Sequence, residues 1–119
     1  MTDPRYLAGI AHFDAGEFFD AHEVWEELWH DCPANDRRFV QSLIQAAVSL
    51  YHWGNGNTAG ATTLFHRGRA KASEYPPVHH GLALAEFWAA VEATVFRNDL
   101  PPRIRLAPEP TPPTREPPS

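Results

Sequence analysis

One cysteine, Cys32, stands alone in a chain of 119 residues. It permits no intrachain disulfide and no cysteine-based zinc site, which suits a reducing cytoplasm. It lies just before Pro33 at the expected end of a helix, whereas thiols are activated at helix N-termini. No apolar run approaches the roughly 20 residues a bilayer span requires, so no membrane partner is expected. The opening MTDPRYLAGI lacks the charged-then-apolar order of a signal peptide. Basic excess is missing as well. Net charge is −5, and because the last 19 residues hold three Arg and two Glu, the body before them carries −6. A nucleic-acid binder needs a basic stripe, so nucleic acid is not an expected partner. The one basic cluster, Arg67, Arg69 and Lys71, reads as a solvated face. Strand signals are absent too, since no alternating run is bounded by turns.

What remains is helical. Apolar residues make up 43% of the chain and aromatics 12%, enough for a core and too much for global disorder. Eight of the twelve prolines fall in the last 19 residues. The expected organisation is a single all-helical domain over 1–99 and a Pro-rich, disordered tail over 100–119. Within that tail, residues 103–106 alternate and suit an extended segment packed on the body.

The fold expected is all-α, a compact bundle of about five helices. The first runs from Pro4 to Ala15, with Asp3 as N-cap and an apolar stripe of Tyr6, Leu7, Ile10 and Phe13. The second runs from Glu17 to Asp31, and the third from Asn35 or Asp36 to Trp53. The breaker Gly54-Asn55-Gly56-Asn57 follows. The fourth starts with Thr58 as cap and ends near Ser73. The fifth spans Gly81 to Asn98, with Leu84, Phe87, Trp88, Val91 and Val95 on one face. An offset of 40 aligns His12-Phe13, Gly16, Ala21 and Trp25 with His52-Trp53, Gly56, Ala61 and Phe65, as a duplicated helical hairpin would.

A candidate site emerges on the second helix. At about 100° per residue, Phe18, Phe19, Trp25 and Trp29 all fall within about 60° of His22. Glu26 falls about 40° from His22, in the middle of this aromatic face. A carboxylate buried there needs a partner, and His22 is one turn away. On the third helix, Arg38, Gln41, Gln45, Ser49 and His52 form one polar stripe, opposite Phe39, Leu43, Ala47 and Leu50. The two stripes are expected to face each other. Two readings of that centre stay open. One is a buried hydrogen-bonded network that specifies core geometry. The other is a metal site with His22, Glu26 and His52 as ligands, Gln41 and Gln45 orienting them, Arg38 as charge partner of the carboxylate and Trp29 as a wall. The cofactor is then one divalent transition metal (zinc, iron or manganese) and otherwise none.

The segment Phe18 to Trp29, with His22, Glu26 and Trp29 in a His-x3-Glu-x2-Trp pattern, resembles domain-of-unknown-function family 309, small helical proteins of prokaryotes. So do Arg38 to His52 and Gly56-Asn57 with Gly60-Ala61. The resemblance implies an all-helical fold and a metal-binding role for the His and the Glu. It implies no reaction, and whether the chain is an enzyme stays open between hydrolytic chemistry, redox chemistry and none.

Other chemistries are disfavoured. The zincin helix needs a second His where Glu26 stands. A ferritin-like site needs two Glu-x-x-His motifs, and only Glu27-to-His30 occurs. His66, His79 and His80 are expected at the surface. The competing class is a non-enzymatic helical-hairpin interaction module, in which His22–Glu26 is structural and a homodimer or another protein is the partner. Trp25, Trp29 and Trp88 have core-facing phases, which leaves Trp53 for an exposed contact.

Overall fold

The computed structural model describes residues 1–106. Five helices account for most of them: α1 (Pro4–Asp14), α2 (Phe18–Asp31), α3 (Arg37–Gly54), α4 (Thr58–Ala72) and α5 (Leu84–Arg97). The all-helical expectation holds, with boundaries within three residues. A 3-10 turn, Ala34–Asp36, leads into α3. Asp3 caps α1, its side chain accepting from the Arg5 N–H with Pro4 at the first helical position. The cap of α4 is Asn57, one residue before Thr58, and its side chain accepts from the Gly60 N–H. Asn98 ends α5 in the left-handed conformation that closes a helix.

Two short strands were missed in the sequence: β1 (Val78–His79) and β2 (Leu82–Ala83) pair as an antiparallel hairpin. Its two-residue turn is His80-Gly81, with φ of 49° and 76°. Positive φ at both central residues is the turn whose twist matches paired strands.

Helix α3 is central, packing against α2, α4 and α5. Its apolar side, with Phe39, Leu43, Ala47 and Leu50, is buried. Glycines set two of the helix crossings. The Trp25 indole lies against Gly9 of α1, where any Cβ would collide with it, and its Nε1 donates to the Tyr6 carbonyl at 3.2 Å. Trp88 of α5 lies against Gly68 of α4 in the same way. The α1–α2 and α3–α4 turns also match: Gly16 and Gly56 sit at φ of 80° and 76°, and Ala21 and Ala61 are both buried.

Beyond α5 the chain returns to the body. Ile104 is buried in the core, its N–H donates to Asp14 Oδ1 at 2.7 Å, and Leu106 bridges to Leu82. The expected disorder from Ala107 onward lies outside the described residues.

Candidate functional site

Helix α2 positions the predicted pair. His22 Nε2 lies 2.9 Å from Glu26 Oε1, one turn on. His22 Nδ1 lies 3.0 Å from the Phe19 carbonyl oxygen. Both ring nitrogens thus face oxygen acceptors, and a neutral imidazole has one N–H for the two of them. Helix α3 brings His52 to the same place. A pocket of about 130 Å³ is lined by Phe18, Phe19, His22, Val48, Tyr51 and His52. The Asn57 amide donates from Nδ2 to His52 Nδ1 at 3.3 Å, its orientation fixed because Oδ1 accepts from Gly60. That leaves the His52 proton on Nε2. The ring also rests on Gly60, where a Cβ would meet His52 carbons at 3.0 Å.

The expected burial of Glu26 does not hold. Its side chain is 53% exposed, while that of His22 is 20% exposed. The aromatic face of α2 runs past the edge of the core, so Phe19 remains 48% exposed and Tyr51 of α3 41%. Nor does the polar stripe of α3 face α2; most of it faces α4 and the segment after it. Arg38 holds Glu74 rather than Glu26, in a two-pronged ion pair at 2.6 and 2.7 Å. The Arg38 guanidinium holds the Glu74 carboxyl below the usual range. Gln45 accepts from Lys71 Nζ at 3.0 Å, and Ser49 donates to the Ala61 carbonyl at 2.7 Å. Burial lowers the Lys71 ammonium pKa, helped by Arg38 and Arg67. Gln41 is half-buried on the same helix. Trp29 is half-buried, with the Arg37 guanidinium stacked 4.2 Å from its ring.

A second group was missed. His79 and His80 are half-buried, not surface residues, and both approach Asp36 Oδ1, at 3.1 and 3.0 Å. Burial alone would raise the Asp36 carboxyl; the His79 and His80 contacts outweigh it and hold it low. The Tyr6 hydroxyl donates to the His80 carbonyl at 2.9 Å, and burial, with Asp36 nearby, pushes its pKa upward. Among the described residues, Asp36, His79 and His80 gather their ligand atoms within 4.8 Å of one another, as do His12, Glu17 and Asp20 at the α1–α2 turn. His22, Glu26 and His52 do not form so tight a group. The signal for the missed cluster was His80-Gly81 between Val78 and Leu82, a short turn flanked by apolar residues.

Residues 6–64 match the family described as "Domain of unknown function (DUF309)". The chain is 41% identical over 66 residues to "Uncharacterized protein YpuF" of Bacillus subtilis (strain 168), which covers 54% of this chain and 38% of that protein. It is 24% identical over 96 residues to an "Uncharacterized protein" of Aquifex aeolicus (strain VF5), covering 78% of this chain and 29% of that one. The chain thus spans less than two-fifths of the length of either relative.

Proposed function

Residues 6–64 belong to the DUF309 family, and we propose that this domain binds a divalent transition metal at His22 and Glu26, with His52 as third ligand. The observation that carries the reading is His22. Its Nδ1 is tied to a backbone carbonyl, the outer bond that metal-ligating histidines commonly make, while its Nε2 faces a carboxylate. A cation between Nε2 and Glu26 satisfies both. His52 lines the same pocket and would join as the other neutral tautomer, its ring proton shifted from Nε2 to Nδ1 and the Asn57 amide turned away. Two imidazoles and a carboxylate suit zinc, iron or manganese. Bound there, zinc supplies Lewis acidity, and iron or manganese supplies redox chemistry. The Gln41, Gln45 and Arg38 side chains play no part in holding the ligands in this reading, and Trp29, stacked with Arg37, is not among the residues lining the pocket. The lone buried thiol of Cys32 fits a reducing cytoplasm as the site of action.

The test is elemental analysis of untagged protein purified without chelator, on wild type and His22→Ala in parallel. The variant should stay folded and hold one metal fewer. Equal metal in both overturns the ligand choice.

A second reading rests on a different observation. Phe19 and Tyr51, 5.6 Å apart by ring centroid, form an exposed aromatic pair over the same pocket. Exposed aromatics at a rim suit a protein partner, a second copy included. Sedimentation of wild type against Phe19→Ser with Tyr51→Ser tests self-association; unchanged mass sinks the homodimer.

A further inference from the structure

From the geometry around Asp36 we infer that Asp36, His79 and His80 form a second divalent-metal site, separate from the α2 pocket and with both histidines outside the family-matched segment. Adjacent residues on a strand point to opposite sides. His79 and His80 do not, because the turn puts His80 at φ 49° and swings its ring back beside its neighbour. The ring centroids are 4.3 Å apart, and both Nε2 atoms converge on one carboxylate oxygen. His79 Nε2 makes a hydrogen bond there. His80 Nε2, equally near, is buried and makes none. The Met1 ammonium donates to His80 Nδ1 at 3.0 Å, which leaves the ring proton on Nε2; a cation between the three groups takes the Nε2 lone pair, with the proton moved to Nδ1 in place of the Met1 contact.

The surroundings fit. The Asp36 side chain is 12% exposed. Phe39 and Tyr75 flank the His79 ring at 4.7 and 4.9 Å by centroid, and Tyr6 anchors the His80 backbone. Such an apolar wall with a carboxylate and two imidazoles is the donor set of zinc sites with three protein ligands and an open position. The three ligands join the start of α3 to the hairpin before α5, 43 residues away. A metal here closes a long loop, so occupancy stiffens the join between the α3 end and the last third of the fold.

The experiment uses the His22→Ala chain, which removes the other proposed site, and zinc chloride as the probe. That protein should take up one zinc in calorimetric titration, and its Tm should rise. Adding His80→Asn keeps a residue that tolerates positive φ and removes the imidazole; adding Asp36→Asn removes the charge. Each should weaken zinc binding at least tenfold and abolish the Tm rise, with the circular dichroism spectrum unchanged. Cobalt substituted for zinc should give visible absorption in the His22→Ala chain that both double variants lose. No zinc uptake by His22→Ala overturns the proposal. So does equal uptake by the double variants. If His80→Asn unfolds the chain, Asp36→Asn decides alone. Failure of the α2 site shows instead as equal metal in wild type and His22→Ala, so the two outcomes are separable.

Discussion

His12 and His52 close the same turn: the carbonyl of each accepts a 2.8 Å hydrogen bond from the backbone N–H five residues on, Glu17 in one copy and Asn57 in the other. The flanking bonds match too, Gly16 to Phe13 at 3.0 Å and Gly56 to Trp53 at 3.1 Å. Even the side chains correspond, with His12 Nδ1 on Glu17 Oε1 at 2.8 Å and His52 Nδ1 on the Asn57 amide. The α1–α2 and α3–α4 turns share one backbone geometry.

The turn itself makes a paired prediction. Gly56 is at positive φ, and Gly54, two residues earlier, ends α3 with open space around it. Gly56→Ala should lower stability by more than about 1 kcal/mol, whereas Gly54→Ala should raise it by up to about 1 kcal/mol. Urea denaturation of both variants checks the signs.

The close approach of α1 and α2 makes another. A methyl group on Gly9 must displace the Trp25 indole. Gly9→Ala should cost about 1–3 kcal/mol or more by overpacking. Trp25→Phe removes Nε1 and Cε2, two of the three obstructing atoms, so the double variant should be more stable than the two single costs predict.

Acid should weaken the start of α1. The Asp3 carboxyl is held down to about 2 by the Arg5 side chain and backbone N–H, from an ordinary 3.8. Its folded value lies below its unfolded one, so its contribution is complete above about pH 4 and lost as pH falls toward 2. Asp3→Ala should cost about 1 kcal/mol near neutral pH, and the gap to wild type should shrink in acid. Carboxyl chemical shifts followed against pH test the low titration directly.

Glu26 is the measure of the α2 site. An exposed ion pair contributes about 0–1 kcal/mol, so Glu26→Ala should barely move stability while removing a metal ligand. Asn57→Asp should act on metal affinity in the other direction. An aspartate accepts from His52 Nδ1, moves the ring proton there and frees Nε2, which should tighten zinc about tenfold or more while retaining the helix cap. Zinc competition against a chromophoric chelator reads both.

Much of this fold is legible in the sequence. The five helices follow from period-3.6 patterns bounded by Gly16, Pro33 and the Gly54–Asn57 breaker, and Leu84, Phe87, Trp88, Val91 and Val95 are buried together as their phase requires. The α2 site was read less well. A helical wheel says that Glu26 shares a face with Trp25 and Phe19; it does not say where the neighbouring helix stops covering that face. Arg38 was assigned to Glu26 by phase, but Glu74 arrives from 36 residues away, and no local pattern reports it. In the Asp36 cluster the His80-Gly81 turn is the one local signal; the meeting with Asp36, 43 residues from His79, has none, and two-residue strands have no alternation to detect.

The bond from the Ile104 N–H to Asp14 has a consequence for the order in which the molecule is made. The first hairpin leaves the ribosome long before residue 104 does. Until then Asp14 keeps no backbone donor from this segment, and the surface that Ile104 will cover stays wet. The newborn chain therefore reaches its native packing only after synthesis has passed α5, and a message truncated at Leu100 yields a protein whose first helix, complete in sequence, still lacks its last neighbour.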